Sequence, residues 1–105
     1  MEYEMSIREA RCKFSLMFAQ LIVWINQQEG YETAINDVKA HDGHMKNSLH
    51  YMGLAGDISL YKYGKWCRKT EDHTFAGEYW ESIGGSWGGR FGDGNHYSLA
   101  YGGRK

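Results

Sequence analysis

Apolar positions recur at three- and four-residue intervals from Ile7 to Ile25: Ile7, Ala10, Phe14, Met17, Phe18, Leu21, Ile22 and Ile25 fall on one helical face. Ser6, just before the run, and Glu9, within its first turn, have the spacing of a capping box, and Gly30 closes the run. The pattern predicts one amphipathic helix over roughly residues 6–28. Its stripe is expected to be a packing face, because no basic flank marks it for a lipid surface. The most apolar stretch, Phe14 to Ile25, is broken by Ser15 and Gln20 and is too short to cross a bilayer, so no membrane insertion is expected.

After Gly30 the helical period gives way to short stretches separated by turn residues. Tyr31 to Val38 and Leu54 to Tyr61 read as strands, with a His-, Gly- and Asn-rich loop from His41 to Ser48 between them. Lys62-Tyr63-Gly64-Lys65 reads as a turn. Phe75, Tyr79, Trp80 and Ile83 recur at helical spacing and predict a short helix over Phe75–Ile83. Glycine is then dense from Gly84 to Gly94, but Trp87, Arg90 and Phe91 are interleaved, which suits loops that wrap a site better than a flexible linker. A last strand is expected over His96–Tyr101. Together these elements predict an α+β domain: a mostly antiparallel sheet, a long N-terminal helix and a second short helix packed on it.

Composition narrows the class. The chain has 105 residues, of which 42% are hydrophobic and 15% aromatic, enough for a single domain over 1–105 with a real core. A formal net charge of -1 supplies no field to hold a polyphosphate partner, so no nucleic acid is expected. Cys12 and Cys67 form no C-x-x-C pair and are expected to be reduced packing residues. The acidic start, Met1 to Ser6, lacks the basic segment of a secretory leader, so no signal peptide is expected.

Two short stretches carry metal-type chemistry: Ser48 to Asp57, with His50 and Asp57, and Asp93 to Tyr97, with His96. His50 and Asp57 are seven positions apart, which on a continuous helix separates them by about 10 Å along the axis. On a continuous strand an odd separation sends the two side chains to opposite faces. Convergence therefore requires the chain to reverse between them, and Gly53 is where it can. In the strand that follows, Ala55, Asp57 and Ser59 share one face while Ile58 and Leu60 share the other. His96 opens an alternating strand and can be presented at the sheet's edge. Two imidazoles and one carboxylate make a hydrolytic zinc set, which uses three N/O ligands at about 2.0–2.2 Å and leaves a place for water.

Asp93 reads either as a turn-forming Asp-Gly or as a general base leaning over such a metal. His41 and His44 could ligate a second ion but fit a polar loop better, and His73 is expected at the surface. Trp66, Trp80 and Trp87 could each wall a groove. Trp87 is the one expected to do so, because its segment leads to Asp93.

Ser48-x-His50-x-x-Gly53-x-Ala55-x-Asp57, followed by Trp87-Gly88-Gly89 and Asp93-x-x-His96 with an aromatic after it, resembles the zinc peptidases that cleave bacterial cell-wall peptides. These are the D-alanyl-D-alanine carboxypeptidases and the L-alanyl-D-glutamate endopeptidases of bacteriophage lysins. The likeness covers roughly residues 30–101 and every position of the first motif. It implies a small α+β fold, one catalytic Zn2+ held by His50, Asp57 and His96, Asp93 as acid/base, and Ser48 in contact with substrate or orienting a ligand.

One departure concerns the electrophile. Family members usually place an arginine upstream of the first motif, and Tyr31 to Ser48 contains none, leaving Lys39 and Lys46 as the cations that could serve the oxyanion. Tyr97 stands where phenylalanine is commoner, a change expected to be minor. The resemblance implies hydrolysis of a peptide bond in the peptidoglycan stem peptide by an endolysin-type L-alanyl-D-glutamate endopeptidase in host cell lysis. A D-alanyl-D-alanine carboxypeptidase is the near alternative, and a non-catalytic zinc-containing binding module of the same fold is the alternative of another class. The expected protein is a monomer without a separate cell-wall-binding domain. It would be made in the host cytoplasm and act on the wall after release.

Overall fold

The computed structural model describes residues 5–37, 49–50 and 52–104. The predicted first helix is α1, Ile7–Gln27. Its start is fixed by the capping box: the Glu9 N–H donates to Ser6 Oγ at 3.1 Å, and the Ser6 N–H donates to Glu9 Oε1 at 3.2 Å. Ala10, Phe14, Met17, Phe18, Leu21 and Ile25 are buried, so the 3–4 spacing in the sequence is the core face. Ile7 and Ile22 lie at its margin, only partly covered.

α1 packs on a five-stranded sheet made of β1 (Tyr31–Asp37), β2 (Ala55–Lys62), β3 (Lys65–Cys67), β4 (Ser86–Trp87) and β5 (His96–Ser98). Every pairing is antiparallel, and the order is β1-β2-β5-β4, with β3 also on β2. β2 is the central rod. Residues 55–57 pair with β5 and residues 60–62 pair with β3, while β1 runs alongside residues 57–62. The register of β1 slips between Ile35 and Asp37, a bulge beside Asp57 of the kind often found next to sites.

The Lys62–Lys65 turn forms as predicted. Tyr63 at φ 49° and Gly64 at φ 80° give it the double left-handed backbone that suits a two-residue hairpin. β3, the strand beyond it, was not expected. The second helix, α2, is Thr74–Ser82, preceded by a single 3-10 turn at Thr70–His73. Trp80 is its anchor: the ring meets Phe14 and Phe18 edge-on, and its N–H donates to the Ser98 carbonyl at 2.9 Å and the Ser86 carbonyl at 3.1 Å, tying β5 to β4. The last strand is shorter than expected and stops at Ser98; Tyr101 instead bridges back to Arg104 across two glycines with positive φ. Among the described residues no helix is long and apolar enough to cross a membrane.

Candidate metal centre

The reversal required between His50 and Asp57 is present. The Gly53 N–H donates to the His50 carbonyl at 3.1 Å and the Leu54 N–H to the Leu49 carbonyl at 2.8 Å, while Gly53 takes a φ of 73°, which few other residues tolerate. The turn is tied to α1 by Arg11, whose Nε donates to the Met52 carbonyl at 2.7 Å. The chain then enters β2, where Asp57 pairs directly with His96 of β5. Directly opposed residues of an antiparallel pair present their side chains on the same face. Asp57 and His96 are therefore neighbours by register, and the turn brings His50, only 2% exposed, in beside them.

His50 Nε2 lies 3.2 Å from Asp57 Oδ1, His96 Nδ1 lies 3.4 Å from the same oxygen, and the two nitrogens are 3.1 Å apart. This near-equilateral triangle is close to the face of a ligand tetrahedron, whose edges measure about 3.3–3.4 Å when the bonds are about 2.0–2.1 Å. Asp57 Oδ1 is also buried, with both imidazole nitrogens against it. The three donor atoms thus lie close enough together to serve one ion. Burial raises the Asp57 pKa, but the two histidine rings outweigh it and hold the carboxyl at about 2, so it is an anion at any ordinary pH. Among the described residues this is the one His/Cys/Asp/Glu cluster with metal-binding spacing. Two nitrogens and a carboxylate oxygen are a donor set that fits zinc.

The loop before His96 is held tightly. The Asp93 N–H donates to the Gly88 carbonyl at 2.9 Å, the His96 N–H to the Asp93 carbonyl at 3.2 Å, and the Ile58 N–H to the Asn95 carbonyl at 2.9 Å. Gly88 permits this approach: a Cβ there would stand 2.4 Å from the Asp93 carbonyl oxygen and 2.7 Å from His96 Cβ.

The other expected residues divide. Asp93 is exposed, makes no side-chain hydrogen bond among the described residues, and lines a cleft together with Asn95, the residue before His96. Trp87, expected to wall a groove, is 3% exposed, and its N–H is committed to the Gly94 carbonyl at 2.8 Å; it supports the Asp93 loop from inside. Trp66 is the indole at the surface, 60% exposed in the same cleft as Asp93, and Arg68 stands beside it. Trp66 is one of the three indoles read from the sequence as able to wall a groove, whereas Arg68 is not singled out there, although an aromatic and a cation two apart on an extended segment share a face. Ser48, Lys39, Lys46, His41 and His44 lie outside the described residues.

His73 corrects the surface expectation. It is 2% exposed, with Nδ1 2.8 Å from the Tyr97 hydroxyl. Burial lowers its pKa, against the Cys67 main-chain hydrogen bond and the Asp72 and Asp93 carboxylates. The Tyr97 hydroxyl, raised well above its ordinary pKa by burial, is thus a structural donor and not a minor addition.

A family model described as D-alanyl-D-alanine carboxypeptidase matches residues 42–99, more than half of the chain and all of the centre. The chain belongs to this peptidase family. Membership places it in peptidoglycan metabolism, and the family resemblance read from the two motifs is upheld. No curated protein matches the chain.

Proposed function

We propose that the peptidase is zinc-dependent and hydrolyses a peptide bond of the peptidoglycan stem as an endolysin-type L-alanyl-D-glutamate endopeptidase. The triangle of His50 Nε2, Asp57 Oδ1 and His96 Nδ1, with edges of 3.1–3.4 Å, carries this reading. Zinc held there supplies Lewis acidity toward a peptide carbonyl and brings the pKa of water toward neutrality.

The chain's own groups do the rest. Asp57 provides a permanent negative charge to the site, and the Asp57–His96 register fixes two donors on the rigid part of the sheet. Asp93, whose carboxylate makes no hydrogen bond among the described residues, takes a proton from the attacking water and returns it to the leaving amine. Lys39 or Lys46 is proposed to serve the oxyanion, and Ser48 to orient a ligand or contact substrate.

A second reading has its own support. The family model is described as a D-alanyl-D-alanine carboxypeptidase, which cuts the terminal bond and not an internal one. Stem peptides of defined sequence separate the two readings. The endopeptidase releases L-alanine from the γ-linked D-glutamate; the carboxypeptidase releases D-alanine. The decisive experiment pairs elemental analysis of the purified protein with hydrolysis of peptidoglycan in the presence and absence of chelator. One zinc per chain and chelator-sensitive cleavage are expected. Cleavage that survives complete metal removal, or metal-loaded protein that cuts no wall peptide, overturns the proposal.

A further inference from the structure

Beside the candidate centre lies a cleft of about 210 Å³ whose walls include Ser59, Trp66, Arg68, Thr70, Asp93 and Asn95. It adjoins two of the three proposed ligands through the chain itself. Ser59 follows Asp57 by two residues on the same face of β2, a spacing of about 6.5–7 Å, and Asn95 immediately precedes His96. The cleft is thus joined to the candidate centre through β2 and the Asp93 loop.

The walls are fixed in place. The Asn36 amide donates to Ser59 Oγ at 2.6 Å on one side. On the other, Thr70 Oγ1 donates to the Gly92 carbonyl at 3.1 Å and accepts from the Gly94 N–H at 3.1 Å, pinning the Asp93 loop against the 3-10 turn. At the open rim the Arg68 guanidinium lies over the Trp66 ring, 5.8 Å from its centroid. Among the described residues Arg68 makes no ion pair, although Asp93 lines the same cleft. An arginine laid on an indole and unpaired beside a fixed groove offers its planar fork to a carboxylate.

We infer that this cleft is a carboxylate-binding subsite, in which Arg68 takes a free carboxylate on the substrate residue next to the scissile bond and Trp66 covers that residue's aliphatic part. The inference rests on the peptidase reading for its choice of substrate and deepens it. A stem peptide offers such a carboxylate in two places: the α-carboxylate of a γ-linked D-glutamate, and the C-terminal carboxylate of D-alanyl-D-alanine. Both are small anions on a short aliphatic residue, and a cleft of about 210 Å³ holds about one such residue.

The test uses zinc-loaded, full-length protein and two pairs of peptides, L-Ala-γ-D-Glu-L-Lys with its glutamate α-carboxylate free or amidated, and L-Lys-D-Ala-D-Ala with its terminus free or amidated. Each is N-methylated at the scissile amide so that binding is measured by calorimetry without turnover. In one pair the free acid is expected to bind about tenfold more tightly than the amide. Arg68→Gln should erase that preference and Arg68→Lys should keep part of it, with unchanged circular dichroism because Arg68 is exposed. Equal binding of acid and amide in both pairs, binding of none of the four peptides, or a preference that survives Arg68→Gln overturns the subsite. The unmethylated parents, assayed for cleavage in parallel, keep the two failures apart. Cleavage without a carboxylate preference removes the subsite alone, and preference without cleavage of any wall peptide removes the peptidase reading alone.

Discussion

His50 and His73 are equally buried, yet their surroundings are opposite in kind. His73 meets a hydroxyl at 2.8 Å in a closed donor–acceptor pair with Tyr97. His50 meets a second imidazole nitrogen at 3.1 Å and a carboxylate oxygen at 3.2 Å, three atoms rich in lone pairs. The first arrangement is a donor–acceptor pair, and the second has the donor set of a possible metal site. The two are neighbours in the chain, since His96 and Tyr97 are consecutive residues of β5 and face opposite sides of the sheet. Burial of a histidine therefore does not identify a ligand. The chemistry of its nearest polar atoms does.

Removing a member of the open cluster should have the largest effect. His50→Ala is expected to lose zinc and to lower wall-peptide hydrolysis by at least about a thousandfold, as read by elemental analysis and peptide cleavage. Full zinc content in that variant would place the ion elsewhere. Asp93→Ala should divide binding from chemistry: stoichiometric zinc is retained while hydrolysis falls by about 10²–10⁴-fold. Undiminished turnover would take Asp93 out of the mechanism.

Gly88→Ala attacks the same side indirectly, because the new methyl would press on the Asp93 carbonyl and on His96 Cβ. Zinc affinity should fall by about 10–100-fold in a competition titration against a chromophoric chelator, and an unchanged affinity would show that the loop yields without moving His96.

The closed pair should respond in stability and not in catalysis. Tyr97→Phe is expected to cost about 1–2 kcal/mol in denaturant unfolding, since it strips the buried His73 Nδ1 of its partner, while zinc content stays at one per chain. The pH dependence has a definite sign. His73 titrates below its ordinary 6.5 when folded, so the unfolded chain takes up that proton first as the pH falls. Its contribution to stability is whole above pH 6.5 and declines from there toward the folded value. Comparing wild type with His73→Asn should show a shallower loss of stability on acidification in the variant. Parallel curves would mean that His73 carries no such linkage.

Much of this was legible in the chain. The helical stripe from Ala10 to Ile25 and the Ser6–Glu9 box are local signals, and α1 starts and packs where they point. The parity of His50 and Asp57 required a reversal, and Gly53 supplies it. What sequence reading missed depends on contacts between distant segments. His73 sits in an acidic run, Glu71-Asp72, that looks solvated until the 3-10 turn presents it to Tyr97, 24 residues on. Trp87 lies among glycines that suggest an open loop, yet α2 passes over its ring at Gly77. Arg68 joins Trp66, already a possible groove wall by sequence, in the cleft beside Asp93 because β3 folds back along β2.

Arg11 belongs to α1, outside the span matched by the family model, yet it holds the Met52 carbonyl in the bend that delivers His50. The N-terminal helix is thus a strut for the motif as well as a cover for the sheet. A fragment trimmed to residues 42–99 would keep every proposed ligand and lose that brace, so recombinant boundaries drawn from family likeness alone would cut through the mounting of the centre.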